Sequence, residues 1–137
     1  MAGYSGTPLE RKLGIREGSA LAVVGGDAHF VAGLQLPPGA HIASADEPLD
    51  VALLFATTVA EIEDAFGLLA ARLQTAGSLW VTWPKKASGV ATELTFEPVQ
   101  AYGLAAGMVD NKVCAIDATW SALRFVFRRS DRPNRRS

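Results

Sequence analysis

The chain has 137 residues, 49% of them hydrophobic and 20% charged, the composition of one soluble globular domain that can bury a core without staples. Thirteen basic side chains against fourteen acidic ones leave a formal charge of -1, so no overall field recruits nucleic acid or an anionic membrane. The single cysteine, Cys114, excludes an internal disulfide and a multi-cysteine zinc site, and two histidines, His29 and His41, are too few for a metal cage.

In chain order, residues 1–17 form an N-terminal arm. It holds one helical turn around Pro8 to Leu13, and Leu9, Leu13 and Ile15 are placed to cover an edge of the core. The arm has no apolar centre, so it is no signal peptide, and no run approaches the ~18 apolar residues of a membrane span. Ala20 to Val24 is the first strand, turned by Gly25-Gly26. The segment from Asp27 to Leu36 is short for a crossover helix, Pro37-Pro38-Gly39 breaks it, and His41 to Ala45 reads as a weaker second strand.

The clearest stretch follows. Val51 to Phe55 is a continuous apolar run, the mark of a strand buried on both faces. Thr58 and Glu61 have capping-box spacing, and Val59, Ile62, Phe66, Leu69 and Leu73 continue at intervals of three and four as one apolar stripe. Gly77 is expected to supply a left-handed helix stop. Leu79 to Trp83 is the next strand, and a strand, helix and strand of this size cross over right-handed to a parallel neighbour. Pro84 ends it.

Lys85 to Thr95 is then a loop, with Thr95 placed to cap a helix from Phe96 to about Ala106. Pro98 falls in its first turn, where a missing N–H is tolerated, and Gly103 and Gly107 weaken its end. Val113 to Asp117 and Leu123 to Phe127 are two strands whose short connection, Ala118 to Ala122, permits only an antiparallel hairpin. Residues 130–137 form an arginine-rich tail, expected to be disordered and to serve solubility or a protein partner rather than nucleic acid. The expected fold is therefore a single-domain, three-layer Rossmann-like α/β sheet over residues 18–129, mostly parallel with a C-terminal antiparallel hairpin.

Several residues stand out as candidate site groups. Lys85 and Lys86 follow Trp83-Pro84 at the carboxyl end of a central strand, where open α/β sheets bind ligands. With Ser88, Gly89, Thr92 and Thr95 they make an anion-accepting loop suited to a phosphate, carboxylate or sulfate. Asp117 belongs on the same rim, and Trp83 and Trp120 are expected to form an aromatic floor there for a flat ligand. Gly25 and Gly26 are weak nucleotide-site candidates, with Asp46 twenty residues beyond Gly26 at the spacing of a ribose-binding acid. Cys114 reads as a small buried hydrophobe, and no G-x-S-x-G supports a serine nucleophile.

The order of elements resembles the class I methyltransferase-like sheet, in which the last strand inserts between its two predecessors. TWPKKASGVATELT at 82–95, GMVDNKVCAIDATWSALRFVFRR at 107–129 and TPLERKLGI at 7–15 further resemble a family of small bacterial proteins, common in actinobacteria, known as a domain of unknown function. That resemblance implies the fold and a cytoplasmic bacterial origin, and brings no established reaction. A cofactor is not specified. The short segment after Gly26 lacks the full helix that walls an adenosine pocket, which favours a non-enzymatic ligand- or partner-binding regulatory module whose loop at 85–95 holds an anionic small molecule or a protein. The alternative is a minimal transferase, S-adenosylmethionine-dependent and methyltransferase-like. A homodimer through the edge beside the short second strand stays open.

Overall fold

A computed structural model describes residues 8–26 and 28–129. The elements are α1 (Leu9–Lys12), β1 (Ala20–Val24), α2 (Ala28–Gly33), β2 (His41–Ile42), β3 (Leu49–Phe55), α3 (Val59–Arg72), β4 (Leu73–Pro84), α4 (Phe96–Ala105), β5 (Met108–Ala115) and β6 (Trp120–Phe127), with a 3-10 turn at Lys86–Ser88. The expected disordered tail and the first seven residues lie outside the described residues.

The six strands form one sheet in the order β2-β1-β3-β4-β6-β5. The first four run parallel, and β6 lies antiparallel to both β4 and β5. The last strand therefore inserts between its two predecessors, as expected. The chain leaves β1 toward β2 on one side and leaves β3 toward β4 on the other. The direction of winding thus reverses between β1 and β3.

Both faces of β3 are covered, which is why its run is apolar throughout. Ala52 and Leu54 join Ile62, Phe66 and Leu69 of α3 and Val99 of α4 on one side. Val51, Leu53 and Phe55 join Leu13 and Ile15 on the other, with Phe30 of α2 against them. The N-terminal segment covers a face of the sheet, not an edge: Trp80, fully buried in β4, donates from Nε1 to the Leu13 carbonyl at 3.0 Å. That bond satisfies the one polar group a buried indole carries.

The capping box opens α3 as its spacing predicts. Thr58 Oγ1 accepts from Glu61 N at 3.1 Å, and Glu61 Oε1 accepts from Thr58 N at 3.2 Å and Thr57 N at 2.7 Å. The helix stop differs. Gly77 is no left-handed cap; α3 ends at Arg72, and β4 begins at once with Leu73, whose φ of -68° and ψ of 137° are extended. The register against β3 slips between Leu49 and Val51, and Gly77 lies in the slipped stretch, where an added Cβ would stand 3.0 Å from the Leu49 carbonyl oxygen. Glycine is there because two backbones press together.

Three further expectations change. The second strand is only His41–Ile42, because the chain turns back at 45–47. The fifth strand begins at Met108, five residues before Val113, and carries an irregularity between Asp110 and Lys112. In α4, Thr95 is the N-cap residue, yet its side chain makes no capping bond.

Candidate functional site

The carboxyl ends of β1, β3, β4 and β5 and the start of β6 make one rim. Lys85 N donates to the Thr119 carbonyl at 2.7 Å and Lys85 Nζ to the Asp117 carbonyl at 2.8 Å, so the turn after β4 and the hairpin bend after β5 are tied together. The ammonium group meets main chain here and not the Asp117 carboxylate. This ridge divides the rim into two clefts, one on each face of the sheet.

The first cleft, about 380 Å³, is lined by Gly25, Gly26, His29, Phe30, Phe55, Asp117 and Trp120. It lies over the ends of β1 and β3, where the winding of the sheet reverses and where open α/β sheets leave room for a ligand. Its wall is aromatic: Phe30 and Phe55 meet edge to face with centroids 5.0 Å apart, and Phe55 and Trp120 likewise at 5.1 Å. Gly25 has φ of +83°, and a Cβ there would come within 2.3 Å of the Phe55 carbonyl oxygen. The strand-end glycine thus lets β1 turn hard against β3 and brings Phe55 to the mouth. Asp117 Oδ1 accepts from Thr119 N and Trp120 N, both at 2.8 Å, which fixes the hairpin bend and orients the carboxylate beside Trp120.

The second cleft, about 460 Å³, is lined by Trp83, Pro84, Lys85, Lys86, Leu94, Thr95, Phe96, Glu97 and Ser121. Trp83 belongs to the core beneath α3 and α4, and Trp120 packs against the core beneath α1 and α2. The expected common floor of Trp83 and Trp120 is therefore absent. Trp83 pairs with Ser121, and this one-residue offset sends the two indoles to opposite faces.

The loop at 85–95 is closely bonded to itself and to α3. Ser88 Oγ donates to the Lys85 carbonyl at 2.6 Å and accepts from Val90 N at 3.2 Å. Thr92 Oγ1 donates to the Thr57 carbonyl at 2.8 Å and accepts from Leu94 N at 3.0 Å. Gly89, with φ of +78°, closes the 3-10 turn. Of the residues expected to hold an anion, Lys85, Lys86 and Thr95 line the second cleft; Ser88, Gly89 and Thr92 do not. Glu93, which its sequence context does not mark, accepts from Val59 N at 2.7 Å and so caps α3 from a distance.

Asp46 is not brought to Gly25 and Gly26. Its turn sits at the foot of the sheet, where Arg72, the last residue of α3, donates from Nη2 to the Ser44 and Glu47 carbonyls at 2.6 and 3.1 Å. Glu47 also binds His41 Nε2 at 2.7 Å. The bond to the Gly39 carbonyl, then that to Glu47, holds the His41 pKa above its ordinary value, and the same ion pair first lowers that of Glu47. Cys114 is buried in β5, and burial pushes its thiol pKa up, away from nucleophile chemistry. Among the described residues no helix is long and apolar enough to cross a membrane.

No family model and no curated protein matches the sequence. The fold does match solved structures. Ribosomal protein L11 methylase from Lactobacillus delbrueckii subsp. bulgaricus superposes with a TM-score of 0.56 and 10% identity, over 88% of this chain and 74% of that one. A SAM-dependent methyltransferase from Aquifex aeolicus gives 0.57 and 12%, over 84% and 85%. The fold is a methyltransferase-like Rossmann sheet. At such identity the match concerns architecture alone, and function has to be argued from the clefts. In this sheet the helix after β1 has six residues, and the winding reverses beside the glycine turn at Gly25.

Proposed function

We propose that the protein is a minimal transferase of the methyltransferase-like class, binding a nucleoside-type ligand, S-adenosylmethionine first among candidates, in the cleft between Gly25 and Trp120. The observation that supports this most is the joining of a three-ring aromatic wall to one carboxylate at the point where the sheet's winding reverses. Flat bases gain from edge and face contacts with Phe30, Phe55 and Trp120, and a cationic centre is attracted to the same π-faces. The fit is of a particular kind. Asp46 and Glu47 stand at the other end of the sheet, so ribose hydroxyls would fall to Asp117, whose Oδ1 already holds the bend and whose second oxygen is left for the task. Bound S-adenosylmethionine supplies an activated methyl group; the chain's part is to seat the base, exclude water with its rings, and set His29 at the mouth as a proton acceptor.

Titration calorimetry of the intact chain with S-adenosylmethionine tests this. Binding is expected, and Trp120→Ala and Asp117→Asn should each weaken it by about tenfold or more, the amide of the second preserving the bend. An absence of heat at millimolar ligand overturns the reading.

A second reading, a non-enzymatic regulatory module that holds an anionic small molecule or a protein partner through the loop at 85–95, draws on one observation. Lys86 is exposed at the second cleft beside Thr95, whose hydroxyl makes no capping bond. In that case phosphate-bearing ligands raise the melting point of the parent and not of a chain carrying Lys85→Ala and Lys86→Ala. Equal stabilisation of both removes this reading.

A further inference from the structure

Beneath the aromatic wall lies a polar group that the fold does not use. Thr82 in β4 is fully buried, and its Oγ1 has no hydrogen-bond partner among the described residues. A buried hydroxyl normally finds one, so an orphan of this kind asks what it meets. The register answers where it points. Thr82 pairs with Phe55 on one side and Ala122 on the other, and both belong to the core beneath α1 and α2, as does Trp80 two residues earlier on the same strand. Thr82 therefore stands in the row directly below the cleft, flanked by Phe55, with Trp120 one step above Ala122. The small side chain of Ala122 leaves the hydroxyl with apolar neighbours alone in its own row. Phe30, half-buried on the short α2, closes this row from outside.

We propose that Thr82 Oγ1 is a specificity contact for the cleft: a base seated against Phe55 and Trp120 presents a hydrogen-bonding edge to it, so the site selects a nitrogen-bearing base of the adenine class over a benzo ring of the same outline. This rests on the nucleoside-type reading above. A hydroxyl that can donate or accept serves either a ring nitrogen or an exocyclic amine. A ring lacking both leaves the hydroxyl buried and unpaired, and that difference discriminates. Thr82 does not itself line the cleft, so the incoming base has to displace Phe30 from its edge-on contact with Phe55 and take that place.

The experiment compares adenosine with benzimidazole riboside, which keeps the sugar and ring shape and lacks the pyrimidine nitrogens and amine, by calorimetry on the wild-type chain and on Thr82→Val and Thr82→Ser. The wild type is expected to prefer adenosine by about tenfold. Thr82→Val should lose that preference while its melting midpoint rises by a few degrees, because an unbonded hydroxyl leaves the core. Thr82→Ser, which keeps the hydroxyl, should keep the preference. The opposite signs in Thr82→Val are the signature, since a purely structural threonine moves stability without moving selectivity. If Thr82→Val retains the full preference, or the wild type binds both ligands equally, the hydroxyl is served by an internal water only and the inference falls while the nucleoside-type cleft stands. If the wild type binds neither, both fall. Should Thr82→Val fail to fold, Thr82→Ala carries the same selectivity comparison, with a lower melting midpoint expected from the cavity it leaves.

Discussion

Gly103 in α4 offers a test in which helix propensity and packing predict opposite signs. Alanine is better than glycine in a helix interior by about 1 kcal/mol, so an exposed Gly→Ala at this position would stabilise. Gly103 is buried, however, and a Cβ built on it stands 2.0 Å from Cε1 and 2.3 Å from Cζ of Phe125. The first of these distances is 1.4 Å short of the 3.4 Å at which ordinary contact begins (3.4 less 2.0). Phe125 cannot retreat easily: it is fully buried, pairs with Leu79 and Asp110 on its two neighbouring strands, and meets Phe66 edge to face with centroids 5.8 Å apart. Overpacking of this kind costs about 1–3 kcal/mol, with the upper end expected for a rigid ring, so Gly103→Ala should destabilise by about 2 kcal/mol net. Urea unfolding followed by far-UV circular dichroism reads this as a lower midpoint at unchanged slope. A cycle with Phe125→Leu should show coupling, the leucine being less harmful in the Gly103→Ala background than in the parent chain. A neutral or stabilised Gly103→Ala would refute the packing of α4 on β6.

Other perturbations follow from the same contacts. Thr58→Ala removes the hydroxyl half of the capping box and should cost about 1 kcal/mol, measured by the same unfolding curves. The bonds from Thr57 first, and then from Thr58, hold the Glu61 pKa below its ordinary 4.5. Its contribution is therefore complete above that value and lost as pH falls through the lowered one, so the stability gap between wild type and Glu61→Gln should close in acid. His41, raised above its ordinary 6.5, contributes fully below that pH and loses its share as pH rises through the raised value; Glu47 behaves as Glu61 does. The gap between wild type and His41→Asn should hence be widest between pH 4.5 and 6.5 and narrow on the alkaline side; a gap independent of pH would mean that the pair does not form. Trp80→Phe keeps an aromatic ring and deletes the bond to the Leu13 carbonyl, and should expose the N-terminal segment to proteolysis before the sheet unfolds; cleavage at the wild-type rate would remove that anchor.

What could be read from residues alone follows the reach of each signal. Ala20 to Val24, Val51 to Phe55 and the Thr58-Glu61 box are local patterns, and local physics decides them. Gly77 misled because a glycine after a helix usually marks its end, whereas here it marks a meeting of two backbones distant in sequence. Trp83 and Trp120 misled for a similar reason. Which face each indole takes depends on whether Trp83 pairs with residue 120 or 121 across the ladder, and side-chain parity changes with a shift of one. The rim itself was foreseeable from WPKK and the hairpin. The meeting of Phe55 and Thr82 in one row beneath it, with Phe30 of α2 against Phe55, was not, since each looks like ordinary core until the strand register and the helix packing are known.

The threading of β6 between β4 and β5 has a consequence for synthesis on the ribosome. Until residues 120–127 have emerged, the long inner margin of β4 has nothing to zip against, and Met108 to Ala115 has no scaffold to lie on. Nascent chains stalled near Ala118 should bind hydrophobic dyes and chaperones strongly, and those stalled well past Phe127 weakly. Assembly of this sheet is thus decided by the emergence of residues 120–127, and a stop before them forfeits the middle of the sheet and not its fringe.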